Sequence, residues 1–148
     1  MPNRRDFLRA VGGTATSAYL LGHGLGAAAQ ENRKRIMVGG NEIRTVDIHA
    51  HCVFAEVAPL ITGTTMNRNF PDWYVLGDFR LGPMDERGID VAALTVNAYW
   101  WYEADRDLAS QIVRIHDEGL AEWCQRHPDR FVAMTSPALQ FPDLAAEQ

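Results

Sequence analysis

The chain has little cysteine and no long uninterrupted apolar run, and each shortage excludes a class of protein. Two cysteines in 148 residues, Cys52 and Cys124, cannot build the disulfide framework of a small secreted domain. Their wide separation is typical of buried small hydrophobic residues, so no chemistry is assigned to them. With 47% apolar and 22% charged residues, the composition is that of an ordinary globular protein.

Residues 1–29 have the layout of a secretory signal rather than of a folded element. A charged stretch containing Arg4 and Arg5 is followed by a mildly apolar run and then by three alanines ending at Ala29. The run of about 17 residues, which includes His23 and five glycines, falls short of the about 20 needed for a membrane span. The segment resembles a twin-arginine (Tat) signal, which implies the Tat export machinery as a partner, cleavage after Ala29 and a periplasmic or otherwise exported protein. An uncleaved anchor or a disordered tail is the alternative.

Basic residues are too few for a nucleic-acid-binding protein. The chain has 14 basic and 19 acidic side chains, and residues 1–29 contain three of the basic and one of the acidic ones. The remaining 11 basic and 18 acidic side chains give a formal charge of −7. Nucleic acid is therefore not expected as a partner.

The rest of the chain alternates between strand and helix patterns. A polar linker, 30–42, precedes a predicted strand at 43–51, and irregular sequence follows over 53–82. A short helix ends at Gly88 and is followed by an apolar strand at 91–96. An amphipathic helix at 105–126, a strand at 130–135 and the first turn of a helix at 142–147 complete the pattern. The predicted apolar stripe of the helix at 105–126 consists of Leu108, Ile112, Ile115, Gly119 and Trp123.

This alternation is the βαβ pattern of a parallel sheet, so the predicted class is α/β. Three parallel strands followed by an unfinished helix would leave a sheet edge exposed. We therefore expect the chain to be part of a longer protein.

Two histidines in the first predicted strand are candidate metal ligands. Because side chains alternate along a strand, His49 and His51 should share one face, about 6.6 Å apart along the chain. Asp47 should share that face and orient a ligand histidine, whereas Ile48 and Ala50 should pack against helices. The alternative is a strand with two polar residues facing water.

Three blocks of sequence carry a family resemblance. The blocks are VDIHAH at 46–51, MDERGIDV at 84–91 and HPDRF at 127–131. Together they resemble the amidohydrolase-related family that includes aminocarboxymuconate-semialdehyde decarboxylase. The resemblance implies a (β/α)8 TIM barrel of the metal-dependent hydrolase type, here truncated after about three βα units and occupying residues 43–148.

The resemblance also implies a cofactor and an activity. His49 and His51 would bind a divalent metal, usually zinc, while a third histidine and an aspartate would come from later strands beyond residue 148. The implied enzyme is a non-oxidative decarboxylase (carboxy-lyase) or hydrolase acting on a small carboxylated substrate. No catalytic residue is identified, and the chain alone is expected to be inactive. The alternative is a non-catalytic half-barrel that binds a metal or a partner, with homo-oligomerisation as one form.

Further candidates lie in the loops after the first two strands. Asn97 and Trp100 are candidates for a substrate pocket, because the aromatic cluster at 99–102 follows a strand end. Covering the next helix is an equally good role for these rings. Arg68 could bind a carboxylate, but a solvated loop arginine is the favoured interpretation. His116, on the flank of the helix stripe, and His127 are predicted to be structural.

Overall fold

The computed structural model describes residues 33–97 and 100–148. Residues 34–148 form one compact unit. The predicted signal with Arg4 and Arg5 lies outside the described residues, so it stays a prediction. None of the helices in the described ranges is long and apolar enough to cross a membrane.

The unit begins with a β-hairpin. Strands β1 (Ile36–Val38) and β2 (Asn41–Ile43) pair antiparallel. The connecting residues Gly39 and Gly40 have φ angles of 58° and 84°, which glycine adopts without strain. The predicted polar linker 30–42 thus contains a hairpin, which Gly39-Gly40-Asn41 closes, and Ile43 belongs to β2 instead of the following strand.

A three-stranded parallel sheet forms the centre of the unit. Its strands are β3 (Val46–Cys52), β4 (Val91–Val96) and β5 (Phe131–Met134), arranged in the order β3-β4-β5. Both neighbouring pairs are parallel. All residues of β4 except Thr95 are buried, as expected for the central strand of a sheet. The predicted α/β class with a parallel sheet is confirmed.

Helices connect and flank these strands. They are α1 (Ala58–Ile61), α2 (Leu81–Arg87), α3 (Arg106–Arg126) and α4 (Pro142–Glu147). Helix α2 ends at Gly88, which adopts the left-handed conformation with φ 72°. Helix α3 begins after Asp105, whose carboxylate accepts a hydrogen bond from the Leu108 backbone N–H at 2.9 Å. The irregular 53–82 segment also contains short 3₁₀ turns at Ala55–Val57, Asp72–Tyr74 and Asp78–Arg80.

The long helix α3 supplies one side of the core. Its buried side chains are Ala109, Ile112, Val113, His116, Leu120 and Trp123. Gly119 lies so close to the ring of Phe54 that a Cβ atom placed at this glycine would approach the Phe54 Cε1 to 2.4 Å. Leu108 and Ile115 are only partly buried. The predicted stripe is therefore slightly rotated, and the placement of His116 on its flank was wrong, since this residue is 2% exposed.

A polar network joins the amino-terminal ends of the three parallel strands. The backbone N–H of Thr45, just before β3, donates a hydrogen bond to the Asp90 carboxylate at 2.7 Å. Arg130, just before β5, donates to the carbonyl oxygen of Asp90 at 3.1 Å and pairs with the carboxylate of Asp85 at 2.7 Å. The MDERGIDV and HPDRF blocks thus meet at this end of the sheet and stabilise it.

The outer strands of the sheet expose apolar side chains. Val46 and Ile48 of β3 are 53% and 75% exposed, and Val132 and Met134 of β5 are 50% and 43% exposed. The prediction that Ile48 packs against a helix is wrong within the described residues. At the other end of β3, Val53 forms a parallel bridge with Val75, which covers that part of the edge.

Candidate metal centre

A bulge in β3 sets the positions of the two histidines. Val46 and Asp47 pair with Val91 and Ala92, whereas Ala50 pairs with Leu94, so β3 has one extra residue between them. Such a bulge interrupts the alternation of side chains. This is the physical reason why Ile48 does not point into the core.

Asp47 stabilises the bulge through the backbone. Its Oδ1 accepts a hydrogen bond from the His49 N–H at 3.0 Å, a local contact that short acidic side chains favour in turns and bulges. Asp47 thus orients the His49 backbone, and its predicted role of orienting a ligand imidazole stays a prediction.

The structure brings His49 and His51 together. Their ring centroids are 4.4 Å apart with an interplanar angle of 72°. Two imidazoles that bind one ion at about 2.1 Å place their ring centres roughly 5 Å apart, which is close to the separation found here. His51 Nδ1 shares a hydrogen bond of 3.0 Å with the hydroxyl of Thr95, which leaves Nε2 for a ligand bond.

Electrostatics favour the neutral form of His51 that a metal requires. Burial lowers the pKa of His51 below its ordinary value of 6.5, and the neighbouring His49 lowers it further. A neutral imidazole has a lone pair available for a cation.

The described residues supply two candidate ligands but not a complete site. They contain no group of three or more histidine, cysteine, aspartate or glutamate side chains that could hold a metal. A catalytic zinc needs three protein ligands and an open position. The donor set therefore fits a divalent cation as half of a site.

The other histidines of the described ranges lie elsewhere. His116 packs between the rings of Phe54 and Trp101, with centroid distances of 5.9 and 5.3 Å. His127 packs on Trp123 at 4.6 Å, and its Nε2 lies 3.2 Å from the carboxylate of Asp78. Both positions agree with the predicted structural roles.

The cysteines also have no role at the site. Cys52 is fully buried and Cys124 is partly buried, and both are free. Burial raises the pKa of the Cys52 thiol to about 11, so this thiol stays protonated at neutral pH.

The pocket candidates follow the carboxyl end of β4, the same end of the sheet at which β3 delivers His51. Asn97 donates its backbone N–H to the carbonyl oxygen of Cys52 at 3.2 Å, which fixes the two strand ends side by side. Trp100 is 46% exposed, whereas Trp101 is 1% exposed and belongs to the core. Tyr99 lies outside the described residues.

Trp100 lines a cavity of about 320 Å³ together with Met66, Arg68, Tyr102 and Glu103. Arg68 Nη1 donates to the backbone carbonyls of Thr65 and Asn67 at 2.9 and 3.1 Å, and the side chain is exposed. Tyr102 belongs to the aromatic cluster predicted from the sequence, whereas Glu103 as a lining residue and Thr95 as the partner of His51 were not predicted. For Glu103 a signal existed, since it follows the same strand end as Trp100.

Comparison with known proteins gives the site a context. The chain is 42% identical over 72 residues to gamma-resorcylate decarboxylase from Rhizobium radiobacter, which covers 48% of this chain and 22% of that protein. Part of the chain is thus similar to a decarboxylase. Among solved structures, the crystal structure of 2,6-dihydroxybenzoate decarboxylase from Rhizobium has a TM-score of 0.56 and 31% identity over 70% of this chain and 33% of that chain.

A second solved structure similar to this chain contains a metal ion. Dihydroxybenzoic acid decarboxylase from Polaromonas sp. JS666, with bound manganese and the inhibitor 2-nitroresorcinol, has a TM-score of 0.56 and 26% identity over 70% of this chain and 33% of that chain. No family model matches the chain. The chain thus spans between a fifth and a third of the length of these relatives.

These relatives confirm the coarser predictions. The similar proteins are decarboxylases of the amidohydrolase superfamily with a TIM-barrel fold, and the described sheet and helices are consistent with part of such a barrel. Manganese in a relative agrees with a divalent metal. The aminocarboxymuconate-type branch, the choice of zinc, and export through Tat stay predictions.

Proposed function

We propose that this chain supplies part of the active site of a divalent-metal-dependent, non-oxidative decarboxylase acting on a small hydroxylated aromatic acid. The observation that carries the proposal is the contact between His49 and His51 in a chain similar to dihydroxybenzoate decarboxylases. We further propose the aminocarboxymuconate-type branch as the wider family and a complete (β/α)8 barrel as the fold of the whole protein.

The proposed reaction breaks the bond between a ring carbon and the carboxylate carbon. Carbon dioxide leaves, and the electron pair of the broken bond takes up a proton at the ring carbon, so no oxidant or reductant is needed. A bound divalent cation would supply positive charge for holding the carboxylate or a neighbouring phenolic oxygen.

The described residues would bind the cation and orient the substrate. His49 and His51 would hold the cation, and Thr95 would fix the ring of His51 through its Nδ1. Asn97 and Trp100 would lie beside the substrate at the strand ends. No described residue is assigned as the proton donor.

Metal binding tests the first half of the proposal. A protein that contains this chain is dialysed against Mn²⁺ or, separately, Zn²⁺, and bound metal is measured by mass spectrometry. We expect stoichiometric metal that the His49→Ala/His51→Ala variant loses and the His127→Gln control retains. Thr95→Val should weaken metal binding about 10- to 100-fold, the usual effect of removing the partner of a ligand histidine. Equal metal in the double-alanine variant and the control would contradict the proposal.

Turnover tests the second half. A protein that contains this chain is incubated with metal and 2,6-dihydroxybenzoate, and the formation of resorcinol is followed by chromatography. We expect resorcinol only when metal and both histidines are present. Histidine-dependent metal binding without any resorcinol would refute the decarboxylase assignment.

A non-catalytic metal- or partner-binding module is the second candidate. Two observations favour it: the absence of a third ligand among the described residues, and the exposed apolar side chains on the outer strands. In this case histidine-dependent metal would be accompanied by self-association, which sedimentation analysis at several protein concentrations would detect. Export by the Tat route, if residues 1–29 act as proposed, is compatible with either candidate.

A further inference from the structure

The cavity beside Trp100 is bounded by two loops that the structure holds together. One loop follows β3 and contributes Met66 and Arg68, and the other follows β4 and contributes Trp100, Tyr102 and Glu103. The hydroxyl of Thr65 donates to the carboxylate of Glu103 and thereby joins the loops. The volume of the cavity, about 320 Å³, lies at the lower end of the range for small-molecule sites.

A buried residue fixes the orientation of the aromatic rings. Trp101 is 1% exposed and packs on His116, and its carbonyl oxygen accepts a hydrogen bond from Gln140 Nε2 at 2.7 Å. The flanking rings of Trp100 and Tyr102 are therefore presented outward, stacked with 18° between their planes and 5.8 Å between their centroids. About half of each side chain is exposed. Exposed stacked rings provide a flat apolar surface that a planar ligand can cover.

The lining carries one cation and one anion. The hydrogen bonds found for the Arg68 guanidinium among the described residues use Nη1, so the other edge of the group can pair with a carboxylate. Glu103 can accept a hydrogen bond from a ligand hydroxyl with the carboxylate capacity that Thr65 does not use. A ligand that satisfies all three features has an aromatic ring, a carboxylate and a hydroxyl group.

We infer that this cavity binds a hydroxylated aromatic carboxylate without the help of a metal ion. Arg68 binds the carboxylate, Glu103 accepts the hydroxyl, and the rings of Trp100 and Tyr102 cover the aromatic face. The inference rests on the proposed function only for the class of the ligand, since the site itself uses neither His49 nor His51.

Binding of 2,6-dihydroxybenzoate to the full chain in excess EDTA tests the inference. Calorimetry or ligand-observed NMR gives the Kd for the unchanged chain and for Arg68→Gln, Glu103→Gln and Trp100→Ala. We expect Arg68→Gln to weaken binding about tenfold or more, as loss of a charge-assisted hydrogen bond does. Arg114→Gln is the matched control, because Arg114 is an exposed arginine of α3 that does not line the cavity.

Two ligand analogues separate the contributions. Resorcinol lacks the carboxylate, so it should bind weakly to the unchanged chain and equally weakly to Arg68→Gln. Benzoate lacks the hydroxyl groups, so it should lose its sensitivity to Glu103→Gln. An aromatic amino acid that bound more tightly than 2,6-dihydroxybenzoate would overturn the assigned ligand class.

The outcomes distinguish this inference from the proposed function. Binding in EDTA that persists in His49→Ala/His51→Ala but weakens in Arg68→Gln supports the cavity, even if the chain retains no metal. Binding that requires Mn²⁺ and both histidines, and that is unaffected by Arg68→Gln and Glu103→Gln, overturns the cavity and leaves the decarboxylase proposal standing. Circular dichroism of each variant shows whether it is folded, and Arg68→Lys, which keeps the charge, should bind with intermediate affinity.

Discussion

Acidification should destabilise the protein through His116. This side chain is 2% exposed, and neither ring nitrogen has a hydrogen-bond partner within the described ranges. Burial lowers the pKa of His116 from 6.5 to about 4. Between these two values the unfolded chain binds a proton at this residue and the folded chain does not. The stability contributed by the neutral ring is therefore present above pH 6.5 and is lost as the pH falls towards 4.

The size of the effect follows from the shift. One pKa unit corresponds to about 1.4 kcal/mol, so the full shift is worth about 3 kcal/mol, of which about 2 kcal/mol should be lost between pH 7 and pH 5. His116→Phe removes the titrating group while retaining a planar ring between Phe54 and Trp101. We expect this variant to lose about 2 kcal/mol less than the unchanged chain over the same pH interval.

Urea unfolding at pH 7 and pH 5 measures the difference for both proteins. The contributions of the remaining histidines cancel, because both proteins contain them. An equal loss of stability in the two proteins would show that His116 takes up its proton without unfolding, and the argument from burial would then be wrong.

Three further predictions concern packing and the strand ends. Gly88→Ala forces a side chain into the left-handed region and should lower stability by about 1–3 kcal/mol, seen as a lower Tm; an unchanged Tm would contradict the assigned backbone conformation. Arg130→Met removes the partner of Asp85 and should lower the free energy of unfolding in urea by about 2–3 kcal/mol. Adding Asp85→Asn to this variant should cost less than Asp85→Asn does in the unchanged chain. Additive losses would argue against the pair. Gly119→Ala should lower the free energy of unfolding because the new methyl group meets the Phe54 ring, although alanine normally stabilises a helix by about 1 kcal/mol relative to glycine. With Phe54→Leu in the same chain, Gly119→Ala should raise the free energy of unfolding instead. A single Gly119→Ala variant that was more stable would refute the contact.

The sequence predicted the regular elements where the local signals were strong. Helix α3 has a capping aspartate and an apolar stripe, and β4 is a continuous apolar run, so both were predicted within one residue of their bounds. The hairpin was missed because its strands have three residues each and expose most of their side chains. Such short elements carry almost no periodicity.

The candidate site was predicted in its residue types and only partly in its geometry. The pair His49 and His51 was found because their spacing matches a strand, and the structure brings the rings together. The bulge could not be foreseen, because it depends on pairing with β4, a strand about 40 residues away. For the same reason the contact between Thr95 and His51 was invisible in the sequence.

The polar network before the three strands has a consequence for how such a protein can change. Thr45, Asp90 and Arg130 secure one end of the sheet, whereas the histidine pair and the aromatic loops occupy the opposite end. Substitutions in the loops that follow the strands can therefore alter ligand preference while leaving this scaffold intact. A library that randomises residues 65, 67, 68, 100, 102 and 103, and keeps the buried Met66 and Trp101, should yield mostly folded proteins with diverse binding. One that randomises the strand starts should yield mostly unfolded ones.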